Sequence, residues 1–380
     1  MGYKAKFWRR RWVAVGAVAT MLVGGAVYAT GAAEIGSNPG PGSTTEGGFN
    51  QPGNILIADQ FNNRVVEMDA ENDVVWSFGL GPNDISPNSI VGVNDAQRVG
   101  DLTLMAGTGV PAANPPLEPK CANGCADNRV ILVDREGHIV WQYGTFGVTG
   151  SGPDQLNTPV QATFLPNRDV LITDQANERV IEVTTDHRIV WQYGMTGMAG
   201  NGPDQLNNPN SAELLLNGHI LISDENNNRA IEVTRDHHIV RTWSGMYDGL
   251  ALSGVAFASR LPNGNTLLTD SNNNRVLEIS PSNQVVWFHR TNTLPGSNPA
   301  PLPTRAIRLR NGDTLISDQF NNRVIEVNHT QPPNLIRQWG ILNVAGVGRN
   351  AFNGPYDAKV IGDYTGITPP FFPDGNQNGQ

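Results

Sequence analysis

From Asn54 onward, apolar and polar residues alternate in short runs separated by Gly, Pro, Asn and Asp. Asn265-Thr-Leu-Leu-Thr269 and Gln284-Val-Val-Trp287 are typical, rich in β-branched and aromatic residues. A period of two predicts strands, and Asn-Gly between two such runs predicts a hairpin. The order of the runs recurs. An entry strand such as Gln161 to Leu165 leads to a Pro-Asn-Gly type turn, an alternating run, a segment like Arg275-Val-Leu-Glu-Ile279 and a last run ending in an aromatic residue. Closely spaced antiparallel strands recurring about every fifty residues predict propeller blades rather than a sandwich.

The sharpest repeat is a charged hairpin. It reads Asp59-Gln-Phe-Asn-Asn-Arg64-Val-Val-Glu67 and returns at Asp174 to Glu182, Asp224 to Glu232, Asp270 to Glu278 and Asp318 to Glu326. A degenerate copy, Ala126-Asp-Asn-Arg-Val-Ile131, brings the count to six. The first unit has no entry strand, whereas Pro355 to Gly362 is an entry strand without a unit. Pairing the two would close a ring and leave no long open edge. The expected fold is all-β, a six-bladed β-propeller of four-stranded antiparallel blades, with the C-terminal strand completing the first blade. Residues 52–363 form it, with an insertion at 108–127. Residues 1–33 read as a signal peptide or signal anchor, 34–51 as a Gly/Pro-rich linker, and 364–380 as a disordered tail.

Two features resemble the NHL-repeat family. One is the Asp-x-x-Asn-x-Arg-Val hairpin. The other is the connector from Gly197 to Pro209, echoed from Gly147 to Pro159, which is similar to that family's Gly-rich linker ending in Gln-Phe-Asn-x-Pro. The resemblance covers residues from about 52 to 362 and implies the propeller. It implies no single activity, because NHL propellers include lyases, sensor ectodomains and interaction platforms.

Composition agrees, since 42 Gly and 26 Pro with only 16% charged residues suit short strands joined by tight turns. The first eleven residues carry Lys4, Lys6, Arg9, Arg10 and Arg11 without an acid, ahead of an uncharged stretch from Trp12 to Ala33. This is an export pattern, ending either in cleavage near Val27-Tyr28-Ala29 or in retention of residues 12–33 as a plasma-membrane anchor. The expected location is extracytoplasmic, with the membrane met only through that segment. Beyond it stand 21 Lys and Arg against 35 Asp and Glu, a net charge of −14. An acidic body lacks the footprint of nucleic-acid binding, which is set aside. Cys121 and Cys125 are expected to form a local disulfide in an oxidising compartment, since no further ligands stand nearby for zinc.

A charge present in every blade serves the blade. Asp59, Arg64, Asp174, Arg179, Asp224, Arg229, Asp270, Arg275, Asp318 and Arg323 are therefore expected to be structural, capping turns and bridging to neighbours. The aromatics Trp76, Trp141, Trp191, Trp287 and Trp339 are expected to pack between blades. Six of the seven histidines fall in lower turns as solvated residues and do not converge, whereas His289 reaches the upper face, where the charged hairpins and inter-blade connectors lie. Residues flanking the Ala that recurs in each entry strand give the expected ligand site: Asp95, Gln161, Asn210, Arg305, Asp357 and Lys359, with Asn94, Ser211, Phe257 and Tyr356 beside them. Arg305 suits a carboxylate or sulfate. No metal-ligand set and no cofactor is expected, with a structural calcium in the acidic channel left open.

Two functions are compatible with these residues. The first is a monomeric, non-catalytic binding module for a protein, glycan or small polar ligand. The alternative is a transferase that resembles the bacterial arylsulfotransferases, whose propellers carry a His-Asp-Ala entry strand. The matching segments here read Asn94-Asp95-Ala96 and Tyr356-Asp357-Ala358, without that nucleophilic histidine, which leaves His289 and Arg305 as catalytic candidates. The zinc histidines of NHL-type amidating lyases, a nucleophile elbow and a phosphate loop are all absent. The insertion is read as a lid or as a tolerated loop.

Overall fold

The computed structural model describes residues 48–363. Within them six antiparallel sheets of four strands form the expected six-bladed propeller. The export segment, most of the linker and the tail lie outside the described residues. Among those described, no helix is long and apolar enough to cross a membrane.

Pro355–Val360 pairs with Ile55–Asp59, Ile55 opposite Val360 and Ala58 opposite Asp357, so the last strand is the innermost strand of blade 1. The innermost strands of blades 2 to 6 are Val93–Val99, Pro159–Phe164, Pro209–Leu214, Val255–Arg260 and Arg305–Arg308. A small hairpin, Met246–Tyr247 with Leu250–Ala251, decorates the connector between blades 4 and 5. The apolar core is divided into wedges at the blade interfaces. Trp76 and Phe78 of blade 1 meet Ala96, Met105 and Ile131 of blade 2, and Leu315 and Trp339 of blade 6 meet Ile57 and Val66 of blade 1. Alternating residues thus bury both faces of each sheet.

Each charged hairpin is a closed knot of hydrogen bonds. In blade 3, Asp174 Oδ2 accepts from Asn177 Nδ2 at 2.7 Å and Arg179 Nε at 2.8 Å, while Oδ1 accepts from the Asn157 backbone N–H at 2.8 Å. The next hairpin residue, Asn63, Asn128, Glu178, Asn228, Asn274 or Asn322, has positive φ, a conformation that Asn tolerates. Its side-chain oxygen accepts from a backbone N–H at the entry to the following blade, in the same order Gly92, Thr158, Asn208, Gly254, Leu302 and Gly354. Six such latches tie each blade to the next. In blade 6 one bond is missing, because Pro301 stands where the other connectors offer Asp an N–H, and Asp318 Oδ1 has no partner.

The lower ends carry a second set of links. The third-strand carboxylate of one blade takes an arginine from the next, as Glu67 takes Arg98, Glu232 takes Arg260 and Glu278 takes Arg308. Where blade 2 has Leu132 instead of Glu, blade 3 has Phe164 instead of Arg, and the two share one apolar cluster. Trp76, Trp141, Trp191 and Trp287 each donate Nε1–H to a carbonyl of the following blade. Trp339 also packs between blades, but it is not the equivalent of the other four. It pairs with Val324, whereas the Trp place in blade 6, opposite Glu326, belongs to Arg337, and in blade 4 to Arg241.

Candidate functional site

The innermost strands are edges, whose outward N–H groups lack a neighbouring strand. Side chains of the preceding blade serve them. Asp357 Oδ2 accepts from Ala96 N and Asp95 Oδ2 from Ala162 N, both at 3.2 Å, Gln161 Oε1 from Ala212 N at 2.6 Å, and Ser211 Oγ from Ala258 N at 3.3 Å. Three residues expected to face a ligand thus stitch adjacent blades together across the channel wall.

Arg305 and Phe257 interrupt this series. Arg305 is 1% exposed and lies between the rings of Phe257 and Tyr356, 5.2 and 5.0 Å from their centroids. Its Nη1 donates to Asn210 Oδ1 at 2.9 Å and to the Ala256 and Thr304 carbonyls, and its Nη2 to the carbonyls of Val160 and Asn210. Those acceptors belong to four blades. The Tyr356 hydroxyl receives Asn210 Nδ2 at 2.9 Å from across the channel, and Asn210 Nδ2 also reaches Glu225 Oε2 at 2.7 Å. Burial raises the Glu225 carboxyl, with Asn210 and Arg305 opposing it. Arg305 thus spends its terminal nitrogens inside the protein, and its remaining Nε–H is buried. The cation expected to receive a carboxylate or sulfate instead plugs the upper channel.

Lys359 lies deeper. Its Nζ donates to Asp95 Oδ1 at 2.9 Å, to the Ala96 carbonyl at 2.8 Å and to Asp357 Oδ2. Burial works against its charge, but Asp357 and Asp95 outweigh that and raise its pKa, while burial pushes Asp95 up to about 6 with Lys359 opposing. The channel aspartates Asp95 and Asp357 share this ammonium. No cluster of three or more metal-ligating side chains occurs among the described residues. Below the plug remains a cavity of about 20 Å³, lined by Gln97, Gln161, Thr163, Glu213, Asp357 and Lys359 among others. It has room for one or two water-sized groups. Burial pushes Glu213 up to about 8, against the Arg260 backbone N–H at 3.0 Å.

Gln97, Thr163 and Glu213 escaped the sequence reading, although the signal was present. Each stands two places after a residue that precedes the recurrent Ala, and a strand's period of two puts it on the same side.

The insertion is anchored as a cap. Val110 and Cys125 form a bridge, Cys121 and Cys125 a disulfide, and Val110, Leu117 and Cys121 cluster with Phe61 of blade 1 and Phe320 of blade 6. Glu118, 1% exposed, receives Asn63 Nδ2 at 2.8 Å, and burial pushes its carboxyl up to about 8.

The two catalytic candidates are not brought together. His289 lies on the outermost strand of blade 5, Val285–Arg290, opposite Val276. The equivalent places elsewhere hold Phe78, Tyr143, Tyr193, Trp243 and Trp339, so His289 fills an aromatic slot, and burial pushes its pKa down to about 4. Arg305 is on an innermost strand. Of the turn histidines, His219 and His329 hydrogen-bond Glu232 and Glu278, and His187 and His237 pack on tyrosines, so these four are partnered rather than freely solvated.

No protein-family model matches the chain, and no curated protein does. Solved structures do. One is a protein of unknown function from Bacteroides caccae, 12% identical over 73% of this chain and 91% of that one, with a TM-score of 0.51. Another is virginiamycin B lyase from Staphylococcus aureus, 13% identical over 77% and 82%, TM-score 0.47, and a third a nidogen/laminin complex, 12% identical over 75% and 92%, TM-score 0.48. At such identities the likeness bears on the fold alone.

Proposed function

We propose that this protein is an extracytoplasmic, non-catalytic binding propeller that engages a macromolecular partner through the rim of connectors on its upper face. One observation carries this reading. Every connector exposes a large apolar side chain, Leu80, Val148, Met198, Met246, Leu294 and Val344 in turn around the ring. Apolar exposure repeated at every connector of one face is what a partner docking on that face would use. Three further observations support it. The upper channel is filled by Arg305 and Tyr356, so a small ligand finds no open pocket there. Both ends of the described chain are held at the lower end, away from the connectors, Asn50 on the Gly100 carbonyl and Asp363 on the Arg310 N–H. The disulfide fits an oxidising compartment. The arylsulfotransferase alternative gains nothing from the positions of His289 and Arg305.

Site-specific photocrosslinking in cells tests the reading. A crosslinker at Met198 or Val344 is expected to give a discrete adduct that the same group at Leu216, a fully exposed lower-turn residue, does not. No adduct from any connector, or equal labelling from Leu216, would overturn it.

A further inference from the structure

Buried donors require acceptors, and two glutamine amides line the channel cavity. Gln97 is 2% exposed and Gln161 8%. Their orientations are set, since Gln97 Oε1 accepts from Phe164 N at 2.8 Å and Gln161 Oε1 from Ala212 N at 2.6 Å. Both –NH2 groups are left for the cavity these residues line. The Thr163 hydroxyl joins them, and Glu213, kept neutral by burial up to about pH 8, adds an O–H. The Lys359 ammonium stands alongside. Of the lining acceptors, Asp357 Oδ1 is buried without a donor.

We infer that this cavity binds a single monovalent anion of halide size, held by the Gln97 and Gln161 amides and the Thr163 hydroxyl beneath the Arg305 plug. A donor-rich lining selects an acceptor, and an amide or hydroxyl donor binds a halide as it binds a carbonyl oxygen. Size agrees, since a cavity of about 20 Å³ exceeds the roughly 10–15 Å³ that one water needs but not by enough for a ring-sized ligand. The charges around it are Lys359 and Arg305, which favour an anion, and Asp357 and Asp95, which oppose it, with Glu213 uncharged below about pH 8 and a further opposing charge above it, and Glu225 above the plug. Acid protonates Asp95 and removes one opposing charge, so binding strengthens as pH falls through about 6. This site is independent of the connector rim, and either can fail without the other.

Crystals of the exported domain soaked in sodium bromide at about pH 5.5 test it, read by anomalous scattering at the bromine edge. The expected result is a peak within bonding distance of Gln97 Nε2 and Gln161 Nε2. In solution, the melting temperature is expected to be higher in sodium bromide than in sodium gluconate of equal ionic strength, and more so at about pH 5.5 than at 8.5. Gln161→Glu keeps the acceptor for Ala212 N and replaces the donor by a carboxylate oxygen, so it should fold and lose the halide dependence. Gln97→Glu repeats the test at the second amide. A cavity without anomalous signal, or a halide dependence unchanged in both variants, would overturn the inference.

Discussion

Asp127 places its carboxylate where a side chain on Gly107 would stand. A Cβ on Gly107 would lie 2.5 Å from Asp127 Cγ, and Gly107 pairs with Arg129 as Asp59 pairs with Arg64. Blade 2 has therefore lost the hairpin's Asp from its strand and recovered the carboxylate from the far end of the insertion. Asp127 Oδ1 accepts from Arg129 Nε at 2.6 Å and Oδ2 from the Val91 N–H at 2.7 Å, the same two services that Asp174 gives in blade 3. A copy that reads as degenerate thus keeps the carboxylate's bonds to the arginine and to the connector, although the bond from the hairpin Asn is lost because Asp127 stands in that place.

Asp127→Ala should leave the Arg129 guanidinium buried and unpaired, at a cost of roughly 3–5 kcal/mol in urea unfolding. Gly107→Asp alone should also destabilise, by collision with Asp127. The double variant should recover most of the loss, since a carboxylate again stands beside Arg129. Additive losses would show that the two positions do not share one space.

Pro301→Ala should give Asp318 Oδ1 the N–H it lacks. The new bond adds about 1 kcal/mol and the more flexible unfolded chain takes back about 0.4–1 kcal/mol, so the net change at neutral pH is small. Titration is the clearer readout. Burial holds the Asp318 carboxyl up at about 6 against Arg323, so stability is full below the unfolded pKa near 4 and declines as pH rises through 6. In the variant, carboxyl carbon shifts should place the Asp318 midpoint lower and the decline should shrink. An unmoved midpoint would mean that the missing N–H is not what leaves Asp318 raised.

Part of the pH sensitivity between acid and neutral should reside in the cap. The Glu118 carboxyl is raised to about 8 by burial, so its contribution is intact below the unfolded value near 4.5 and is lost progressively until pH has risen through 8. Glu118→Gln should flatten the fall of the melting temperature between about pH 5 and 8 and leave its course above about pH 8.5 unchanged. A fall between pH 5 and 8 as steep as in the parent protein would remove Glu118 from the explanation.

His289→Phe should fold and unfold as the parent does at pH 8, because every other blade carries an aromatic residue in that slot. Burial lowers the His289 pKa to about 4, so its contribution is present above the unfolded pKa near 6.5 and is lost as pH falls toward 4. The variant should therefore resist acid better. Loss of folding at pH 8 would show that the imidazole does something a ring of similar size cannot.

The blades were legible because strand period and hairpin chemistry are local. The missing first entry strand and the orphan at Pro355 were enough to place the closure. Three things were not legible. Arg305 reads as a free cation along the chain, since only the closed ring brings the Val160, Asn210 and Ala256 carbonyls to one point. Trp339 was aligned by its aromatic ring, yet outer strands carry two such rows two places apart, and only pairing to Val324 separates them. Asp127 stands two residues from Arg129 rather than five, because the carboxylate returns through an insertion that has no counterpart in the other repeats. Along the chain nothing shows that edge-strand N–H groups engage the side chains of Asp95, Gln161, Ser211 and Asp357, because the strand they serve belongs to the next blade.

If the upper channel is a plug and recognition belongs to the connector rim, an aryl sulfate should find nothing to bind. The direct measurement is the melting temperature of the protein titrated with 4-nitrophenyl sulfate, with nitrophenol release followed in parallel. The expected result is no saturable rise and no release. A saturable rise that disappears in a folded Arg305→Met variant, or release that requires Arg305, would contradict the plug and return the upper channel to catalysis or small-ligand binding.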